Sequence, residues 1–257
     1  IAKHLEKRHY DTKILNLNHI ILEKVSNCEK EENFSYKKIL RESIINVIDE
    51  FKPDFIGITC MFSMTHNSIK EVSKIVKEKT KVPVAAGGVH ISNAIWDNKT
   101  RFEFAKDLKN IDLFFLFEAE LAFSEFINTA NQNFTNLDLV KQIFINNKEK
   151  PVFVTSRIRP EGDSLNMIPD HKQMGSSNLS SAGKVGNFSF LKNKNENITT
   201  VLSNRGCRAQ CTFCSVRNFN GVKVRQRSVQ SVIDELLFLR DEQNIKHIMW
   251  LDDDLLY

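Results

Sequence analysis

Cys207, Cys211 and Cys214 fall within "RGCRAQCTFCS" in the spacing CxxxCxxC, and they are three of the five cysteines in the chain. As thiolates, three such groups are soft ligands suited to zinc or to iron–sulfur chemistry. A structural zinc site generally takes four Cys or His ligands, often as two CxxC pairs, and no second pair is present. His247 lies far downstream in an apolar run that reads as a strand, poorly placed as a fourth ligand. Iron–sulfur clusters also usually take four cysteines. Three thiolates on one loop can instead hold three irons of a four-iron, four-sulfur cluster and leave the fourth open. An open position is what separates catalytic metal sites from closed structural ones. On residues alone, a zinc-bound interaction module and an open cluster both stand.

Other candidates are simpler groups at strand ends. Gly87 and Gly88 close the run "VPVAAGG"; two glycines there let the backbone approach a bulky ligand or adopt φ > 0, and would equally serve a plain strand-to-helix turn. Ser63, Thr65 and Ser68 offer hydroxyls that could bind a ligand or cap the following helix. Asp252 and Asp253, next to Asp254, put carboxylates at the end of "IKHIMWLDDD". His66 reads as an exposed residue at a helix start, His171 as a residue without catalytic role, and Cys60 as a small core residue. Cys28 has no partner at metal spacing.

The elements that position these groups alternate. "TKILNLN" (12–18) reads as a short strand, and Ile39, Leu40, Ile44, Val47, Ile48 and Phe51 recur at helical spacing over 36–51. "DFIGITC" (54–60) has the continuous apolar character of a strand buried on both faces. A helix with Ile69, Val72, Ile75 and Val76 on one face follows, then the strand ending in Gly87–Gly88, a less regular helical stretch over 92–109, the strand "IDLFFLF" (111–117) and a helix over 118–130. Such alternation predicts an α/β fold, here a Rossmann-like, doubly wound parallel sheet over 1–130. Residues 131–197, with a possible helix at 137–143, an extended pair around "IFIN" and "PVFVT" and a Ser-, Asn-, Lys- and Gly-rich passage, read as a linker. Residues 198–257 read as the start of a second α/β domain: strand, cysteine loop, a helix over 229–240 capped by Ser228, and a closing strand.

Composition sets limits. Hydrophobic residues make up 41% and charged residues 26% of the chain, ordinary for a globular protein. The net charge of +4 balances 36 basic against 32 acidic groups, and with no basic stripe interleaved with aromatics nucleic acid is not an expected partner. No apolar run approaches the ~20 residues of a membrane span. An odd number of cysteines, mostly in one cluster, points to a reducing cytoplasm, and the charged start "IAKHLEKRHY" is not a signal peptide. The absent initial Met and the stop just after an apolar strand suggest a fragment of a longer protein.

The cysteine loop resembles that of the radical S-adenosylmethionine (SAM) superfamily, whose signature is CxxxCxxC after the first barrel strand, usually with an aromatic before the last cysteine, here Phe213. "SNRGC" is similar to the family's entry into the loop, although Arg208 replaces a common proline. "VRQRSVQSVIDEL" (224–236) is similar to the basic stretch and helix start that follow, and "MWLDDDLL" (249–256) to the second strand. The resemblance implies that Cys207, Cys211 and Cys214 hold a 4Fe-4S cluster, that SAM chelates the open iron, and that an electron donor such as flavodoxin or ferredoxin drives its cleavage to a 5′-deoxyadenosyl radical. Asp252 and Asp253 would lie near the methionyl amine. The stretch 53–94, ending in Gly87, Gly88, Val89 and His90, resembles the cobalamin-binding domain preceding the barrel in one large group of these enzymes, some of them methyltransferases. That resemblance makes Ser63, Thr65, Gly87, Gly88 and His90 cofactor-binding candidates. The sequence departs from the group's patterns in lacking Asp-x-His-x-x-Gly and in placing Phe117 and Ala119 where Gly-Glu-Gly-Glu is common. The expected activity is SAM cleavage on a small-molecule substrate by the intact protein, with cobalamin or, alternatively, with a first domain that binds none. With only the opening units of a partial (β/α) barrel, the chain by itself is expected to be inactive.

Overall fold

The computed structural model describes residues 1–26, 34–130, 140–146, 151–174 and 197–256. Cys28, residues 137–139 and most of the polar passage over 172–197 lie outside the described residues; the rest of the helix expected at 137–143 does not form, since residues 140–142 are irregular and Ile143 opens a strand. The elements run α1 (Ala2–Glu6), α2 (Leu17–Ser26), α3 (Tyr36–Phe51), β1 (Ile56–Thr59), α4 (His66–Lys79), β2 (Val84–Gly87), α5 (Val89–Trp96), α6 (Arg101–Asp107), β3 (Leu113–Phe115), α7 (Glu120–Ala130), β4 (Ile143–Ile145) and β5 (Val152–Val154). They continue with α8 (His171–Met174), β6 (Asn197–Val201), β7 (Asn204–Arg205), α9 (Val216–Asn220), β8 (Arg225–Gln226), α10 (Val229–Gln243) and β9 (Ile245–Trp250). By internal contacts the chain divides into two compact units, one of Ile1 with Arg41–Pro160, the other of Ala2–Leu40 with Glu161–Tyr257.

The first unit is built on one sheet in the order β1-β2-β3-β4-β5. β1, β2 and β3 are parallel, with Ile56 opposite Val84 and Ala85 opposite Leu113. This is the α/β arrangement expected of strands alternating with helices, and its strands bury Val84, Ala85, Ala86, Phe114 and Phe115. β4 then adds antiparallel to β3, and β5 antiparallel to β4. The pair "IFIN" and "PVFVT" therefore extends the first sheet and is no linker. Three-residue strands carry too little periodicity to announce a sheet edge. The core is aromatic: Phe115 meets Phe123 and Phe126 edge-on at 5.1 and 5.4 Å. Asp112 locks the register at the start of β3, accepting from the Val84 amide at 2.7 Å and from Lys77 Nζ at 2.6 Å.

The strand expected over 12–18 does not form. Residues 11–16 are irregular, and α2 begins at Leu17. The Ile14 amide donates to Gln173 Oε1 at 2.9 Å, a side chain standing where a neighbouring strand would be needed. In the second unit β6 and β9 pair in parallel, with Thr199 opposite Ile248 and Thr200 opposite Met249, and α10 crosses between them. Ser228 caps α10 as expected, its hydroxyl accepting from the Ser231 amide at 3.2 Å. The helix ends at Asn244 in the left-handed conformation. Val201, Leu239 and Ile245 form the buried core of this unit, with Leu236, Phe238 and Ile248 packed against it. Among the described residues no helix is long and apolar enough to cross a membrane.

Candidate functional site

Two groups of residues collect at strand ends, one in each unit. In the first, a cavity of about 400 Å³ opens beyond the carboxyl ends of β1 and β2, lined by Met61, Ser63, Val89, His90, Asn93, Ala94, Asp97, Thr100 and Phe104. In open parallel sheets this is where ligands bind. Of the residues singled out from sequence, Ser63 and His90 line it. Thr65 turns inward, its hydroxyl donating to the Phe62 carbonyl at 2.7 Å and meeting Cys60 Sγ at 3.3 Å. Cys60 is buried, as expected of a small core residue.

The glycines have reasons within the chain itself. Gly88 sits at φ +112, and a Cβ there would lie 2.4 Å from the Cys60 carbonyl oxygen. At Gly87 it would lie 3.3 Å from the Phe115 carbonyl oxygen. Both glycines let three parallel strands end side by side beneath the cavity. Phe117, where the resemblance expects glycine, adopts φ +60, a costly conformation for a residue with a side chain. It is held by the Ser92 hydroxyl, which accepts from its amide at 2.7 Å, and by its ring, which meets Trp96 edge-on and lies 3.5 Å beneath the Arg157 guanidinium.

His66 is no isolated exposed residue. Its Nδ1 lies 3.1 Å from His90 Nε2, its Nε2 lies 2.7 Å from Asp107 Oδ2, and Lys70 donates to the other Asp107 oxygen at 2.6 Å. Lys70, and after it His66, hold the Asp107 carboxyl below its usual range. Burial, and then the neighbouring His66, hold His90 below the ordinary imidazole range. In the tautomers that satisfy both contacts, Asp107 accepts from His66 Nε2–H, His66 Nδ1 accepts from His90 Nε2–H, and His90 Nδ1 is left as an acceptor. The positions of His66 and His90 just beyond successive parallel strands were a readable signal for this pairing. Nothing in the sequence marked Asp107.

In the second unit the cysteine loop leaves the carboxyl end of β6. Its root is closed by the antiparallel pair β7–β8, and Gly206, at φ +99, packs where a Cβ would lie 2.4 Å from the Lys223 carbonyl oxygen. Cys207 is half-buried, Cys211 and Cys214 are exposed, and all three thiols are free of disulfides. The Ala209 amide points to Cys207 Sγ at 3.4 Å, and the Cys214 amide donates to the Cys211 carbonyl at 3.2 Å. Among the described residues no group of three His, Cys, Asp or Glu side chains is gathered closely enough to hold a metal ion. The donors nevertheless fit an iron–sulfur cluster in kind, as three accessible soft ligands on one short loop.

The acidic end of β9 divides its work. Asp252 faces the loop root, accepting from the Ser203 amide at 2.7 Å, the Asn204 amide at 3.1 Å and the Ser203 hydroxyl. Asp253 accepts from Asn220 Nδ2 at 3.2 Å, and burial, followed by the Asp252 charge, raises its carboxyl above the usual range while the Asn220 hydrogen bond opposes this. Asp254 pairs with Arg208 at 3.1 Å, so the arginine that replaces the family's proline ties the loop to the strand end.

Residues 1–125 match the B12 binding domain family. A cytidylyl-2-hydroxyethylphosphonate methyltransferase of Streptomyces wedmorensis is 30% identical over 281 residues, which cover 99% of this chain and 50% of that protein. An uncharacterized methyltransferase of Pyrococcus horikoshii is 29% identical over 216 residues, covering 82% of this chain and 42% of that protein. The chain thus spans about half the length of the curated relatives it matches. The radical S-adenosylmethionine methyltransferase TsrM of Kitasatospora setae, solved with tryptophan substrate and a SAM analogue, superposes with a TM-score of 0.65 at 16% identity over 99% of this chain and 44% of that one. The same protein solved with cobalamin and a 4Fe-4S cluster gives 0.64 at 16% identity, over 98% of this chain and 44% of that one. The chain therefore carries a B12 binding domain over residues 1–125, is homologous to methyltransferases, and shares its fold with a radical SAM methyltransferase.

Proposed function

We propose that the intact protein is a cobalamin-dependent radical SAM methyltransferase that reductively cleaves SAM and methylates a small molecule. The observation that carries the reading is the loop of three free thiols at the carboxyl end of a parallel strand, in a chain that has a cavity at the strand ends of its other unit and matches a B12 binding domain over residues 1–125. When bound, the cluster and the corrin supply one-electron reduction and methyl-carrying chemistry. Cys207, Cys211 and Cys214 would hold the cluster, and the loop would tighten to bring them together. Asp253, the carboxylate beyond β9 that accepts from Asn220, would face the SAM amine, whereas Asp252 shapes the loop. Ser63 and His90 would meet the corrinoid, with His90 accepting a hydrogen bond at Nδ1. Methyl transfer is favoured because both curated relatives are methyltransferases. Free thiols suit a reducing cytoplasm, where flavodoxin or ferredoxin would donate electrons.

Anaerobic reconstitution of the intact protein tests this. About four irons and four sulfides per chain, formation of 5′-deoxyadenosine, and a cobalamin spectrum that shifts on binding are expected. Zinc without sulfide would refute the cluster, and an unchanged cobalamin spectrum would leave a radical SAM enzyme with a docking domain. A single strand–helix–strand unit is far short of the eight units of a full barrel, so this chain alone should not turn over SAM.

A further inference from the structure

A buried charged cluster stands outside both sites. His171 opens α8, Glu235 lies within α10, Arg227 follows β8, and their side chains are only 3%, 2% and 7% exposed. Glu235 Oε1 lies 2.7 Å from His171 Nε2, and Oε2 pairs with Arg227 Nη1. The guanidinium also reaches the chain entering the cysteine loop, with Nη1 donating to the Leu202 carbonyl at 2.8 Å. Its Nη2 donates to the Ser231 carbonyl at 3.1 Å, and the Arg227 amide donates to the Ser203 carbonyl at 2.9 Å. Leu202 and Ser203 are the residues by which the chain leaves β6. From β9, Asp252 takes the Ser203 and Asn204 amides. The root of the loop is thus fixed by Asp252 and by Arg227. A staple between α8 and α10 would not require the guanidinium to bind Leu202.

We propose that His171, Glu235 and Arg227 are positioning residues for the cysteine loop. His171 orients Glu235, Glu235 neutralises and aims Arg227, and Arg227 sets the backbone from which Cys207 is presented. Only the consequence for cluster and SAM rests on the function proposed above. A planar five-donor guanidinium can hold Glu235, Leu202 and Ser231 together, whereas a lysine ammonium cannot match that geometry.

Hydrogen exchange on this chain tests the positioning directly. Arg227→Lys and His171→Gln are expected to speed exchange of the amides at 203–206 by roughly tenfold, leaving the amides of β1, β2 and β3 unchanged. Unchanged exchange at 203–206, or faster exchange throughout the second unit, would overturn the proposal. If Arg227→Lys does not fold, His171→Gln decides. In the intact, reconstituted protein both variants should keep the iron and sulfide content of the wild type, shift the cluster's midpoint potential and bind SAM about tenfold more weakly. An unaltered potential and SAM affinity would overturn the claim that His171, Glu235 and Arg227 govern presentation of the thiols. A wild type that takes up no iron or sulfide would defeat the proposed function instead, and the exchange result would still decide whether the three residues hold the loop.

Discussion

One oxygen atom requires a glycine at residue 88. The left-handed conformation costs a residue with a side chain about 1–2 kcal/mol, and a Cβ 2.4 Å from the Cys60 carbonyl oxygen adds a backbone clash. The carbonyl cannot easily move away, because the Cys60 amide is bonded to the Gly87 carbonyl at 2.8 Å. Gly88→Ala should therefore cost about 3 kcal/mol or more. Gly57→Ala, where nothing lies within 4 Å, should stay within about 1 kcal/mol. Urea unfolding of both variants checks this, and equal losses would refute the steric account. The glycine pair was legible as a turn, but its partner at Cys60 was not, since that contact spans two strands. His90 makes a separate prediction. With its folded-state pKa below that of the unfolded chain, the unfolded state takes up the proton first as pH falls. Stability is full above the unfolded value of about 6.5 and declines as pH falls from there towards the folded value. His90→Gln should flatten that part of the stability profile; an unchanged slope would place the titration elsewhere.

At the scale of elements, parallel strands and long amphipathic helices were readable because each carries its own periodicity. The hairpin β4–β5 was readable as an extended pair, but its place in the first sheet was not, because one buried side chain outside regular structure anchors it there. Gln142, fully buried, donates through Nε2 to the carbonyls of Leu116 and Glu118 at 2.7 and 2.8 Å and accepts from the Ile158 amide at 2.9 Å. It joins the end of β3, with the strained Phe117, to the hairpin. Gln142→Leu keeps most of the volume and leaves two carbonyls and an amide without these partners, each a loss of about 1–3 kcal/mol if buried groups stay unpaired. A destabilisation of about 3 kcal/mol is expected by chemical denaturation, with faster exchange of the β4 and β5 amides than of β1. A neutral effect would show that water replaces the side chain. The failure of 12–18 as a strand has the same origin: strand-like residues form a strand only where a neighbour offers a ladder, and Gln173 meets Ile14 instead.

Across the whole molecule, apolar burial and cysteine chemistry lie in different places. The first unit is held by its aromatic sheet core, the second by Val201, Leu239 and Ile245, and the loop thiols belong to neither. Two of the three are exposed, so Cys211→Ser and Cys214→Ser should change the stability of the metal-free chain by no more than about 0.5 kcal/mol. Cys60 is the opposite case, 2% exposed with its sulfur against Thr65 and the Phe62 carbonyl. Cys60→Ser exchanges a polarisable apolar atom for a hydroxyl in a packed site and should cost about 1–2 kcal/mol. Metal loading should reverse this order. In the intact, reconstituted protein each loop variant should lose its iron, because three ligands leave no spare and a serine oxygen is too hard a donor, while Cys60→Ser keeps it. Thermal unfolding of the metal-free chain and iron analysis of the loaded protein measure the two halves independently. If a loop variant kept its iron while Cys60→Ser lost it, the metal would have to be assigned to the first unit.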